Sequence, residues 1–151
     1  IRVNMTLASL KELSGALGWI NRKKEDEVIG DLVDKLKIKI GSIENDASSL
    51  SGGNQQKVAL AKWLGSNCKI LIFDEPTRGV DVGAKVEIYR IINQLAEEGA
   101  SIIMISSEMP EIIGMSDRVL VMREGKVMGE LNKNEISEEN LIKLSMGVEN
   151  I

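Results

Sequence analysis

The apolar positions of this chain follow one rhythm before residue 50 and another after it. Leu7, Leu10, Leu13, Leu17 and Trp19 recur at near-helical spacing across residues 5–20. Val28, Ile29, Leu32, Val33 and Leu36 repeat at i, i+3/i+4, the stripe of an amphipathic helix. Between them lie three basic and then three acidic residues, Arg22 to Glu27, read as the solvated start of that helix. The first ~45 residues are therefore expected to be helical.

After residue 50 the pattern alternates between element types. Leu50-Ser51-Gly52-Gly53-Asn54 is a glycine turn leading into a helix over Gln55 to Leu64, with Gly65 placed to close it. Ile70-Leu71-Ile72-Phe73 is a continuous apolar run, as in a strand buried on both faces. Lys85 to Ala96 carries Ile88, Ile91, Ile92 and Leu95, which predicts a helix closed by Gly99. Ser101 to Ile105 reads as a second buried strand. Strand, helix and strand make a βαβ unit, hence α/β with parallel core strands. Val119 to Arg123 and Lys126 to Leu131 flank Glu124-Gly125, the turn of a hairpin. Ser137 with Glu138 and Glu139 opens a last short helix: a hydroxyl cap, then acids at the positive end of the dipole.

Composition narrows the chemistry. The 151 residues are 43% hydrophobic and 28% charged, an ordinary globular balance whose length fits one domain. There is no histidine, so no histidine base, metal ligand or pH switch. The single cysteine, Cys68, excludes an internal disulfide and a Cys₄ zinc site, and reads as an inert thiol in a cytoplasmic protein. Net charge is -4 with no basic stripe and few aromatics, which argues against nucleic acid as a direct partner. No apolar run approaches the ~20 residues that span a bilayer. Ile1 to Met5 shows no charged leader and no initiator methionine, so the chain is expected to start inside a longer protein. Trp19 and Trp63 are expected in core or subdomain packing, and Met104, Met109 and Met115 as gap fillers.

Two segments carry chemistry. Ser51-Gly52-Gly53 stands at a helix entry, where close backbone approach and open N–H groups suit a phosphate, and the Ser51 hydroxyl can donate. The bland alternative is a flexible turn with a serine cap. Asp74-Glu75-Pro76 ends the apolar run of residues 70–73. Two carboxylates at the carboxyl end of a buried strand sit where ligands bind in open α/β sheets. Neighbouring strand residues point to opposite sides, so the two acids can serve two roles. Asp74 suits Mg²⁺, directly or through water, and Glu75 suits a general base or water-orienting group.

Taken in order, Leu50 to Lys57, then Ile70 to Thr77, then Gly79-Val80-Asp81 resemble the ATP-binding cassette (ABC) ATPases. The resemblance makes Leu50 to Asn54 the signature motif, with Asn54 where glutamine is commoner. It makes Asp74 the end of Walker B, Glu75 the catalytic glutamate and Thr77 to Asp81 the D-loop. It implies ATP and Mg²⁺ as ligands, with Ser51, Gly52, Gly53, Asn54 and Asp81 at the nucleotide and at the joint with a second cassette. The stretches Asn54 to Lys57, Thr77 to Lys85, Ser106 to Glu111 and Met115 to Gly125 are similar to the second cassette of tandem ATPases in ribose-, galactose- and xylose-type sugar importers. That implies a place at the cytoplasmic face of the membrane, permease subunits as partners and a sugar-binding protein indirectly. The alternatives are an ABC ATPase of DNA repair or translation, and a non-hydrolysing module that lends its signature to a partner.

The resemblance divides the chain into residues 1–49, the end of an α-helical subdomain; 50–131, the signature helix and C-terminal half of a catalytic core; and 132–151, a helical tail. Two departures follow. No Gly-x-x-x-x-Gly-Lys-[Ser/Thr] loop occurs, so the chain is read as a cassette fragment that hydrolyses no ATP alone and exposes surface prone to self-association. Ser107 stands where the family places a switch histidine. A serine bonds a phosphate oxygen but supplies no cation, so a site using Glu75 and Ser107 is expected to be slow or inactive. The alternative is that Ser107 caps the helix near Pro110.

Overall fold

The computed structural model describes residues 1–15, 18–66 and 68–147. Leu17 of the first apolar stripe lies outside them, as do residues 148–151 of the tail. The chain divides into two compact units, Ile1–Met104 and Ile105–Ile151.

The first unit opens with helix α1 (Arg2–Thr6), a 3₁₀ turn (Leu7–Ser9) and the single helical turn α2 (Leu10–Leu13). The continuous helix expected over residues 5–20 is therefore broken. Ser14 leaves the helix in an extended conformation and bridges to Ile20, while Gly18 turns the chain at φ +77°. That conformation favours glycine because it has no Cβ. Trp19 sits beside this turn, 80% exposed, and Trp63 is 49% exposed with the Lys62 ammonium 4.7 Å over its ring. Neither tryptophan packs in the core, contrary to expectation.

Helix α3 (Arg22–Lys35) starts where the Asn21 side chain accepts the Lys24 N–H at 3.1 Å. Its apolar stripe is as expected, with Ile29, Leu32 and the following Leu36 buried. Its first turn is not simply solvated, because Glu25 is buried. The Glu25 carboxylate accepts from Arg22 Nη1 at 2.7 Å, Thr6 Oγ1 at 3.0 Å and Arg2 Nη1 at 3.1 Å. Arg2 also reaches Asp26 and Glu44. Burial alone would raise the carboxyl's pKa, but the bonds from Arg22, Thr6 and Arg2 outweigh it and hold Glu25 below the usual carboxylate range.

Helix α4 (Gly52–Leu64) packs against α1, α3 and α5, and Val58, Leu60 and Ala61 are its buried apolar residues. It begins three residues earlier than the apolar pattern shows. Gly65 ends it in a right-handed conformation, φ -62°, rather than as a left-handed closure. Strand β1 (Ile70–Asp74), helix α5 (Val82–Glu97) and strand β2 (Ser101–Ile105) form the expected βαβ unit, with β1 and β2 hydrogen-bonded in parallel. Ile88, Ile91, Ile92 and Leu95 form the buried stripe of α5, each contributing about 1.5–3 kcal/mol of hydrophobic stabilisation. Gly99 closes α5 at φ +96°. Burial on both strand faces is corrected: Leu71 and Phe73 are buried, but Ile70 and Ile72 are 65% exposed. Among the described residues this sheet has two strands, and Ile70 and Ile72 mark its exposed side.

The second unit holds helix α6 (Met109–Met115), the antiparallel strands β3 (Arg118–Arg123) and β4 (Lys126–Asn132), and helix α7 (Glu138–Met146). Glu124 and Gly125 both take positive φ in the hairpin turn, at +50° and +76°. The ladder slips between Val121 and Met122, leaving Met128 unpaired in a bulge. Ser137 Oγ caps α7 by accepting the Asn140 N–H, and Gly147 closes it left-handed. Val119, Leu131, Leu141 and Leu144 form this unit's core.

Candidate functional site

Helix α4 and the segment leading into α5 build the site in the first unit. At the start of α4, Ser51 takes the capping position in an extended conformation, yet its side chain makes no capping bond. The first backbone N–H groups of α4 have no intrahelical partner by the geometry of a helix end, and the dipole adds positive potential there. Asp81 caps α5, its Oδ1 accepting the Ala84 N–H at 3.0 Å. The two helix entries meet closely. A Cβ at Gly53 would lie 2.6 Å from the Ala84 Cβ, and one at Gly52 would lie 3.5 Å from the Gly79 carbonyl oxygen. Gly53 is therefore needed for this approach, whereas the Gly52 distance is ordinary contact, and Gly79 itself turns at φ +76°.

Two open clefts flank this meeting point. One, of about 260 Å³, is lined by Ser51, Gly53, Asn54, Lys57, Asp81 and Glu87, among others. The other, of about 370 Å³, is lined by Gly52, Gln55, Gln56, Arg78, Gly79 and Val80. The structure thus brings together Ser51, Gly52, Gly53, Asn54 and Asp81 of the expected site.

Asp74 and Glu75 stand at the carboxyl end of β1 and line neither cleft. Asp74 is exposed, with no hydrogen bond or ion pair among the described residues, so its carboxylate is open to a cation. One open carboxylate fits Mg²⁺, which is commonly held by one or two carboxylates with water and phosphate completing its shell. Glu75 takes φ +48°, a left-handed conformation costly for a residue with a side chain. From there two turns, Arg78 N–H to Glu75 carbonyl at 3.1 Å and Val80 N–H to Thr77 carbonyl at 3.3 Å, carry the chain past buried Thr77 to Asp81. Strain at a non-glycine residue that ends a strand is typical of sites held for chemistry.

Ser107 belongs to the second unit and is exposed. Helix α6 has Glu108 at its capping position and Pro110 in its first turn. Ser106 organises this turn: its Oγ accepts the Glu108 N–H at 3.0 Å and donates to the buried Glu111 carboxylate at 2.7 Å.

Sequence reasoning missed Lys57 and Glu87. Lys57 is buried, its Nζ donating to Glu87 Oε2 at 2.6 Å and to the Lys37 carbonyl at 3.1 Å. That ammonium holds Glu87 below the usual carboxylate range, with Lys39 and Lys37 adding weaker attraction. A lysine in the middle of a helix looks solvent-facing in sequence. Only its i, i+3/i+4 relation to Gly53, Leu60 and Ala61 hinted that it faces inward.

The fold is that of an ATP-binding cassette core. MJ1267, an ATP-binding cassette of an ABC transporter, superposes with a TM-score of 0.77 at 21% identity over 95% of this chain and 61% of that one. The dimeric structure of MJ0796, a bacterial ABC transporter cassette, gives 0.72 at 20% identity over 87% of this chain and 56% of that one. Residues 3–78, which are 76 of the 151, match the ABC transporter family, and the chain belongs to it. Among its relatives, ribose import ATP-binding protein RbsA of Bacillus licheniformis is 53% identical over 147 residues, 97% of this chain and 30% of that protein. The protein of the same name from Bacillus subtilis is 52% identical with the same coverage. The chain therefore spans about 30% of the length of these curated relatives. Among the described residues no helix is long and apolar enough to cross a membrane.

Proposed function

We propose that this chain is the signature-bearing part of an ATPase that powers sugar import from the cytoplasmic face of the membrane, through permease subunits and, indirectly, a sugar-binding protein. The observation that carries the reading is the meeting of the α4 entry with Asp81, supported by half-identity to ribose import ATP-binding proteins. Residues 1–49 serve as part of a helical subdomain, 50–131 as the signature helix and catalytic half, and 132–151 as a tail.

ATP supplies the phosphoryl group whose transfer to water drives transport. Ser51 and the α4 N–H groups bind its phosphate oxygens from a facing cassette, and the glycines let the backbone approach them. Asp81 stiffens the α5 entry beside that face. Asp74 holds Mg²⁺. Glu75 orients a water and takes its proton. In the full-length protein, Ser51→Arg puts a long cation where phosphate must approach, and both ATPase activity and transport should fall at least about tenfold. Normal activity in that variant would contradict the reading. Without a phosphate-cradling loop the 151-residue chain alone should show no magnesium-dependent turnover.

Ser107 makes its own site slow, because a hydroxyl supplies neither cation nor base near neutral pH. Ser107→His in the full-length protein should raise turnover several-fold, roughly 1 kcal/mol of barrier. Unchanged turnover would remove Ser107 from the switch role.

A further inference from the structure

A serine at a helix cap ordinarily turns its oxygen onto the backbone N–H two or three residues on. Ser51 does not. Its Oγ instead accepts a hydrogen bond from Asn54 Nδ2 at 3.0 Å. We propose that Asn54 is a positioning residue: it draws the Ser51 hydroxyl off the helix end, leaves the first α4 N–H groups open, and sets Ser51 as a donor toward an incoming phosphate oxygen. This rests on the reading of Ser51–Asn54 as a phosphate-facing edge.

The orientation of the Asn54 amide is fixed from its other side. Asn54 Oδ1 accepts the backbone N–H of Lys39 at 2.9 Å. A backbone N–H can only donate, so the amide oxygen must face Lys39 and the NH₂ must face Ser51. The loop that carries Lys39 is itself anchored one turn further along α4. There Lys57 Nζ holds the Lys37 carbonyl and is neutralised by Glu87 of α5. Lys37 takes φ +50°, an uncommon conformation for a lysine, and presents its carbonyl to that buried ammonium. The order of cause runs from Glu87 and Lys57 to the Lys37–Lys39 loop, from the loop to Asn54, and from Asn54 to Ser51. With one lone pair of Ser51 Oγ taken by Asn54, its proton stays available to an acceptor in the cleft that Ser51, Asn54 and Asp81 share.

The test uses the full-length protein and two readouts. The first needs no nucleotide. In Asn54→Ala the Ser51 hydroxyl swings back and caps α4, so deuterium exchange at the amides of residues 53 and 54 should slow roughly fivefold. Unchanged or faster exchange there overturns the inference. The second is steady-state ATP turnover in a double-mutant cycle. Asn54→Ala should lower kcat roughly three- to tenfold with KM for ATP within about twofold, and should add nothing in a Ser51→Ala background. Asn54→Asp keeps the acceptor for Lys39, and hence the loop anchor, but reverses the other bond, so that the Ser51 hydroxyl donates to the carboxylate: exchange at residues 53 and 54 should stay as in the unmutated protein, while kcat should fall at least as far as in Asn54→Ala. If Ser51→Ala lowers turnover while Asn54→Ala costs the same with or without Ser51, the positioning role is overturned alone. If Ser51→Ala leaves turnover unchanged, the phosphate-facing reading fails and the donor role fails with it.

Discussion

Two glycines in helices of this chain have opposite duties. Gly53 lies in the first turn of α4, and a methyl group there would meet the Ala84 Cβ at 2.6 Å. That distance is too short for two carbons, so α4 and α5 would have to separate. Overpacking of this kind costs about 1–3 kcal/mol. Gly30 lies inside α3, and a methyl group there meets nothing within 4 Å. Its glycine only loosens the helix, by about 0.5–1 kcal/mol relative to alanine. Urea unfolding of the 151-residue chain should therefore show a lower midpoint for Gly53→Ala and a higher one for Gly30→Ala. The same substitution in two helices thus separates a glycine kept for close approach from one that is not. At this scale the sequence marks Ser51, Gly52, Gly53, Asn54 and Asp81, which do converge, and Asp74 and Glu75, which line neither cleft. The partners were not legible. The bonds of Asn54 to Lys39 and of Lys57 to Glu87 cross 15 and 30 residues of chain, and no local pattern encodes a hydrogen bond at that separation.

Among the elements, the least legible was the first. Periodicity treats leucines at helical spacing as one helix, but Ser14, Gly15 and Gly18 interrupt it by offering turn conformations that leucine spacing does not register. The charge run at Arg22–Glu27 departs from a solvated helix start for a related reason. Charges are usually solvated, but Arg2 and Thr6 on α1 reach Glu25 on α3 and draw it inside. This pair of helices is consequently tied by a carboxylate whose pKa is lowered on folding. A lowered folded-state value means stabilisation that is complete above the unfolded value, about 4.3, and is lost as pH falls through the folded one. The chain should lose stability on acidification below about pH 5, as measured by denaturant midpoints. Glu25→Gln should destabilise it by about 1–3 kcal/mol at neutral pH, because Arg2 and Arg22 lose a charged acceptor, and should flatten part of the acid limb. An equally steep acid limb in Glu25→Gln would place the dependence on other carboxylates. The hairpin, α5 and α7 were read correctly because their signals are local: Glu124-Gly125 at positive φ, Gly99 at a helix end, and Ser137 as a cap.

For the whole molecule, the largest difference from expectation is the uncovered side of the β1–β2 pair. A run such as Ile70–Phe73 is characteristic of strands covered on both faces, yet Ile70 and Ile72 are 65% exposed and Ile103 is 53% exposed. The chain also spans only about 30% of the length of its ribose-import relatives. A continuous apolar run is ordinarily covered on both faces, so the exposed face of β1 is the departure to test. The two faces of β1 should then respond differently to mutation. Leu71 is buried, and Leu71→Ala removes methyl groups from a packed interior at about 2–5 kcal/mol. Ile72 points to the uncovered side, where threonine keeps the β-branch and adds a hydroxyl that water can satisfy. Ile72→Thr in the 151-residue chain should change stability by less than about 1 kcal/mol, because β propensity is retained and little burial is lost. Paired with Ile103→Thr, it should also reduce light scattering in concentrated solution, since an exposed apolar strand face promotes association. Denaturant midpoints for Leu71→Ala and Ile72→Thr, and scattering for the Ile72→Thr/Ile103→Thr pair, check both halves of this argument. A loss for Ile72→Thr as large as that for Leu71→Ala would show that the face is covered in solution after all.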